Sequence, residues 1–382
     1  MSVPPPGGWP PPPPSGSPYS QGQPFGQPGL NPQQPPPGWQ QQNWPQQSGP
    51  PDHKSNNVKW LLLGVAILLV IGISVGATLI FTRNSEVAGS TTPSKTGVPS
   101  DFASANDTGP VTIIADEPTC KSFLSLNDGL AQIEPPGWGD DRAGFGPASE
   151  WTSDQRSQVE TVAKSMEKAA DQAVTLAKQT PHRVVRELYE QFIAYGRAYA
   201  ASIPNYTPRD NELASANINA SSALLGICNS IDGGSTSRAL AIESADPPSR
   251  LSNFSEPNDS RPFIESASPN CTLWTERLDA FNAATVEWQK RDGSIPASQW
   301  TPEQRSLVDA TLPVLTKFAD DIAAAGRQGD GAVFEDFAET AAIYIRAFVA
   351  AGDDYQVADG WLNFTGFRIA NLISSACLAA DG

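Results

Sequence analysis

The chain carries one domain twice. Residues 147–157 read PASEWTSDQRS and residues 296–306 read PASQWTPEQRS, and this offset of 149 holds without a gap to Cys228 and Cys377. Between 147 and 228, 23 of 82 positions are identical to their counterparts, where unrelated sequences of ordinary composition share about five. Any fold for this chain has to be built from one ancestral unit used twice.

Each copy has one cysteine near its start and one near its end. Cys120 and Cys271 are offset by 151, because the first copy has two extra residues in its PPGWGDDRAGFG loop. Four cysteines permit three pairings. The duplication selects Cys120–Cys228 and Cys271–Cys377, since each copy should close itself.

The copies read as helical. Thr152-Ser-Asp-Gln155 and Thr301-Pro-Glu-Gln304 are capping boxes, with Pro302 at the first helical position. After the first, Val159, Val162, Met166, Ala170 and Ala173 recur at three and four residues; after the second, Val308, Leu312, Leu315, Phe318 and Ile322 do the same. Similar periods follow in 185–199 and 334–348, and in 213–227 and 362–373. Counting the segment after each first cysteine, every copy has four amphipathic helices. Short connections then suggest an up-down bundle, stapled from its first helix to its fourth. Pro313 falls inside a helix and predicts a kink there. The expected class is all-α: two tandem disulfide-stapled four-helix bundles, at 116–232 and 267–382, joined by a Ser/Pro-rich linker at 233–266.

Upstream the composition changes. Residues 1–57 form a Pro/Gln-rich tail, with 18 of the chain's 36 prolines in its first 51 residues and no charge there. No apolar period survives, so the tail reads as disordered with polyproline II bias. From Trp60 to Phe81 the sequence WLLLGVAILLVIGISVGATLIF has no charge. As a helix it spans about 33 Å, enough for a bilayer core of about 30 Å. We expect a transmembrane signal anchor at 58–82, followed by a flexible stalk at 83–115. Gly72 and Gly76 form a GxxxG that allows two such helices to pair into a homodimer. Basic residues flank both ends, so charge does not orient the span. All four cysteines follow it, which puts the N-terminus in the cytoplasm and the copies outside the plasma membrane.

The formal net charge is −16. Charges before residue 110 balance, so all of it belongs to the later part. Such a surface repels phosphate backbones, and nucleic acid is not an expected partner. The chain has only two histidines, His53 and His182, and shows no P-loop, nucleophile elbow, dinucleotide fingerprint or zinc signature. No catalytic residue, cofactor or metal site is expected. Asp140, Asp141 and Glu150 lack calcium-loop spacing. The candidate site residues lie in the repeated Y-x-R-A-aromatic pattern: Tyr195 and Arg197, then Tyr344 and Arg346. Each arginine either holds an anionic ligand or pairs with a carboxylate on a neighbouring helix, such as Glu160 or Asp309. Trp151 and Trp300 precede their caps and are placed to lie on the stems of Arg156 and Arg305.

The PPPGGWPPPPP and NPQQPPPGWQQQ tail, the apolar run and the small-residue stalk together resemble the proline-rich single-pass membrane proteins of mycobacteria and related actinobacteria. The resemblance implies an envelope location and no particular activity. Two readings follow. One is a membrane-anchored extracytoplasmic interaction or scaffolding module whose partner is an envelope protein or lipid. The other is an extracytoplasmic binder of a small apolar or anionic ligand in the bundle core, which requires a cavity lined by Tyr195, Arg197 and Tyr199.

Overall fold

The computed structural model describes residues 101–381 apart from 136, 137, 267 and 330. The tail, the apolar run with Gly72 and Gly76, and the first part of the stalk lie outside the described residues. Among the described residues no helix is long and apolar enough to cross a membrane.

The domain is all-α and holds two disulfides. Its longer helices are α1 (Cys120–Ala131), α2 (Ser153–Gln179), α3 (Arg183–Ser202) and α4 (Asn211–Asp232) in the first copy. The second copy has α5 (Pro269–Ala284), α6 (Pro302–Gln328), α7 (Ala332–Ala351) and α8 (Gly360–Ala380). Cys120–Cys228 ties α1 to α4, and Cys271–Cys377 ties α5 to α8. Both pairings are the ones the duplication selects.

Both capping boxes form. Thr152 Oγ1 accepts from Gln155 N at 3.2 Å while Gln155 Oε1 accepts from Thr152 N at 3.0 Å. Thr301 and Gln304 repeat this at 3.2 and 2.9 Å. Each cap satisfies helix-end donors and contributes about 1 kcal/mol. Trp151 lies 5.6 Å from the Arg156 guanidinium, and Trp300 the same distance from Arg305. Helix α6 continues through Pro313.

The two copies share one core. The most extensive helix contact joins the last helix of each copy, α4 and α8. Both are buried on almost every side, as central helices must be. Small residues bring their backbones together: Gly226 of α4 sits against Phe364 and Thr365 of α8. Arg368 donates to Asn219 Oδ1 at 3.3 Å. These two are equivalent positions of the two copies, so the pseudo-twofold relation runs through this pair.

Residues 101–115, expected to finish the stalk, are instead packed. Phe102, Val111 and Ile114 are buried, and three apolar anchors in so short a stretch suffice to fix it against the helices. Residues 233–266 are likewise no free linker. Ser235 and Thr236 are fully buried, and Ala245 N donates to Val111 O at 3.0 Å. Phe263 inserts between Tyr195 of the first copy and Phe337 of the second, with ring centroids 6.4 and 5.2 Å away.

Candidate functional site

Both arginines of the repeated pattern are held by carboxylates. Arg197 Nη2 meets Asp171 Oδ1 at 2.7 Å, and Arg346 Nη2 meets Asp320 Oδ1 at 2.8 Å. Asp171 and Asp320 are themselves equivalent, so the duplication preserved an ion pair between the second and third helices of each copy. They lie three turns further along than Glu160 and Asp309, the partners expected from sequence. Arg197 also donates to Asn258 O at 2.7 Å.

Tyr195 and Tyr344 are fully buried, and burial raises both phenols well above their ordinary range. Their hydroxyls lie near the backbone of Ile264 and Ile114 respectively, and neither makes a hydrogen bond among the described residues. Ile264 leads into the second copy yet meets a tyrosine of the first. Ile114 leads into the first copy yet meets a tyrosine of the second. The segments ahead of the two copies are therefore exchanged.

Where α3 and α7 begin, the copies meet through buried charge. Arg183 Nε and Nη2 donate to Asp336 Oδ2 and Oδ1 at 2.7 and 3.0 Å, a bidentate pair almost fully withdrawn from water. Arg183 also holds Asp107 O and Gly109 O at 2.8 and 3.1 Å, fixing the leading segment. Arg186 donates to Glu190 Oε1 at 2.7 Å and Glu187 Oε1 at 3.3 Å, and lies under the Phe254 ring at 4.6 Å. Burial lifts the Glu187 carboxyl well above the usual carboxylate range, and Asp336 adds to this against the pull of Arg186. Sequence reading passed over this cluster because RVVRELYEQ and VFEDFAET look like ordinary charged helix starts. Their charges fall among apolar residues on every side, and that was the available signal.

A second arginine pair is also duplicated. Arg142 is buried and donates to Asn211 Oδ1 at 2.6 Å. The equivalent Arg291 lies 4.0 Å from the Trp288 ring centroid, and burial lowers it to about 10. Near Arg142, burial holds the half-buried Glu134 up at about 7.

Two cavities stand out among the described residues. One, of roughly 420 Å³, lies between α1 and α2 over Leu126, Leu130 and Ala169. In the second copy the matching positions are Phe281 and Phe318, whose rings stack 4.5 Å apart. The other, of roughly 590 Å³, lies under the crossover at 250–263, against Glu190, Phe263 and Phe334. Tyr195, Arg197 and Tyr199 line neither. Among the described residues no three His, Cys, Asp or Glu side chains are grouped to hold a metal ion.

The profile described as "Mycobacterial ESX-1 associated protein" matches residues 102–381, the whole of this duplicated helical domain. The chain belongs to that family. An ESX-1 associated family member thus begins at the packed segment around Phe102 rather than at the first cysteine. The chain is also 37% identical over 350 residues to an uncharacterized protein of Mycolicibacterium smegmatis strain MKD8, covering 89% of this chain and 90% of that protein. This likeness is longer than the helical domain and so reaches upstream of residue 102. No solved structure matches.

Proposed function

We propose that the chain is a membrane-anchored extracytoplasmic interaction module of the cell envelope, without catalytic activity, that associates with ESX-1. The observation that carries this reading is how the repeated tyrosines and arginines are used. A binder of small anionic ligands in the bundle core needs Arg197 and Arg346 open, and both are taken by Asp171 and Asp320. Tyr195 and Tyr344 are fully buried in the shared core, Tyr195 with its ring against Phe263 of the crossover. What remains for recognition is the surface of one tightly joined body. The two disulfides favour an oxidising compartment. The apolar run at 60–81 favours an anchor that leaves the proline-rich tail in the cytoplasm and allows pairing through Gly72 and Gly76. The family description favours the ESX-1 system as the partner.

Affinity capture of the full-length chain from envelope membranes tests this. ESX-1 components should be recovered from a strain that has ESX-1, and the co-captured set should shrink in one that lacks it. An unchanged set in both strains refutes the association. Protease added to intact spheroplasts should spare the Trp39–Trp44 region; its cleavage there reverses the orientation.

A further inference from the structure

The cavity under the crossover is polarised. Its inner wall carries Glu190, only 7% exposed. Glu190 Oε1 accepts from Arg186 Nη1 at 2.7 Å, while Oε2 takes no protein donor among the described residues. Ser260 on the same wall has its hydroxyl sealed from solvent without a partner. A ligand in the cavity that donates to the open oxygen makes a charge-assisted hydrogen bond, stronger than a neutral one.

The surrounding charge count has the same sign. Arg183, Arg186 and Arg250 face Asp107, Glu187, Glu190, Glu335 and Asp336 through ion pairs of 2.7 to 3.8 Å. Two carboxylates are in excess. Protonation is one way to remove that excess, first at Glu187, which burial lifts furthest, while burial pushes Glu190 upward as well. A bound ammonium is the other. At the mouth, Arg261 is exposed and contributes only its backbone carbonyl to Gln191, at 3.3 Å. Between the two ends the lining is mixed, with an apolar side of Phe263, Val333 and Phe334 facing a polar one that includes Asn253 and Asp259. The equivalent Glu339 differs: Arg327 donates to its Oε1 at 2.7 Å and its other oxygen is sealed from solvent.

We propose that this cavity binds a short free peptide, with the ligand's ammonium on Glu190, an apolar side chain against Phe263 and Phe334, and its carboxylate toward Arg261. The volume lies within the range of small-ligand sites, about 300–1,000 Å³. The inference stands apart from the proposed ESX-1 association and uses different residues.

Calorimetric titration of the purified full-length chain with leucyl-phenylalanine tests it, beside the N-acetyl and C-terminal amide forms of that dipeptide. The free dipeptide should bind saturably, and the N-acetyl form at least about ten-fold more weakly. Glu190→Gln keeps an acceptor for Arg186 and should weaken the dipeptide by a similar factor. Arg261→Ala should weaken the dipeptide but not its amide. Equal binding of the N-acetyl form, no saturable binding of the free dipeptide at millimolar concentration, or undiminished binding by a folded Glu190→Gln variant overturns the proposal. If that variant does not fold, the N-acetyl comparison on the unaltered chain decides.

Discussion

Replacing Gly226 by alanine should destabilise both copies together. A Cβ built on Gly226 falls inside contact distance of Thr365 Oγ1, 3.0 Å from Phe364 Cδ1 and 3.2 Å from Thr365 Cα. Thr365 has little room to yield. It is β-branched, and its hydroxyl donates to Trp361 O at 2.8 Å. The Cα can retreat only if α4 and α8 separate. Overpacking of this kind costs about 1–3 kcal/mol, and loss of the Thr365 hydrogen bond adds about 1 kcal/mol. Against this, alanine gains about 1 kcal/mol over glycine in a helix interior. The net expectation is a loss of about 1–3 kcal/mol. Gly129 in α1 is the control, because a Cβ there meets nothing within 4 Å. Gly129→Ala should stabilise by up to about 1 kcal/mol. Denaturant unfolding with disulfides intact, followed by fluorine-labelled tryptophan, resolves the outcome. Trp138 and Trp151 report on the first copy, and Trp274, Trp288 and Trp300 on the second. In Gly226→Ala all five should shift to one lower midpoint. A midpoint that rises as in Gly129→Ala, or a shift confined to Trp138 and Trp151, refutes the shared core.

Asp336→Ala strands the buried Arg183 guanidinium and should cost about 3–5 kcal/mol in the same unfolding assay; a loss below about 1 kcal/mol would mean that water reaches the pair. Residues 116–232 and 267–382 expressed separately should each associate or aggregate on size-exclusion chromatography, since each leaves α4 or α8 uncovered; two well-behaved monomers would contradict the interlock. Glu134 is raised from an ordinary 4.5 to about 7 by burial, with Arg142 pulling the other way. Its folded pKa exceeds its unfolded one, so its stabilising contribution is complete below about 4.5 and is lost as pH rises through about 7. Glu134→Gln should flatten the slope of stability against pH across that window, and an unchanged slope excludes the assignment.

The repeat, the disulfide pairing, the two caps and the helical periods were legible because each rests on local spacing or on one copy confirming the other. The seam was not. Helix α4 meets α8 where Gly226 sits against Phe364 and Thr365, and a glycine adds nothing to a hydropathy pattern. The closeness it permits appears only in three dimensions. The packed segment at 101–115 was hidden by its polar composition, although Ile114 precedes Cys120 and Ile264 precedes Cys271 in nearly the same way. Reading the repeat upstream of the cysteines would have extended both copies. The buried charges at 183–190 were discounted for a sound reason, since surface charge is the rule. They are inside because Arg183 at the start of α3 meets Asp336 at the start of α7 in a bidentate pair.

Duplication has left the two copies with different amounts of open space. Where the second copy fills the crevice between its first two helices with Phe281 and Phe318, the first has Leu130 and Ala169 and an open groove. Where the second copy seals Glu339 with Arg327, the first leaves Glu190 on a cavity wall. Both differences run the same way. A second copy packed for solidity and locked to the first along α4 and α8 holds that first copy rigid, and rigid support lowers the entropic cost of binding at a preformed surface. On the proposed reading as an interaction module, recognition therefore belongs to the first copy and the crossover. Substitutions that fill its openings, such as Ala169→Phe in the groove, should alter partner capture without loss of stability, whereas changes at the matching Phe318 should alter stability first.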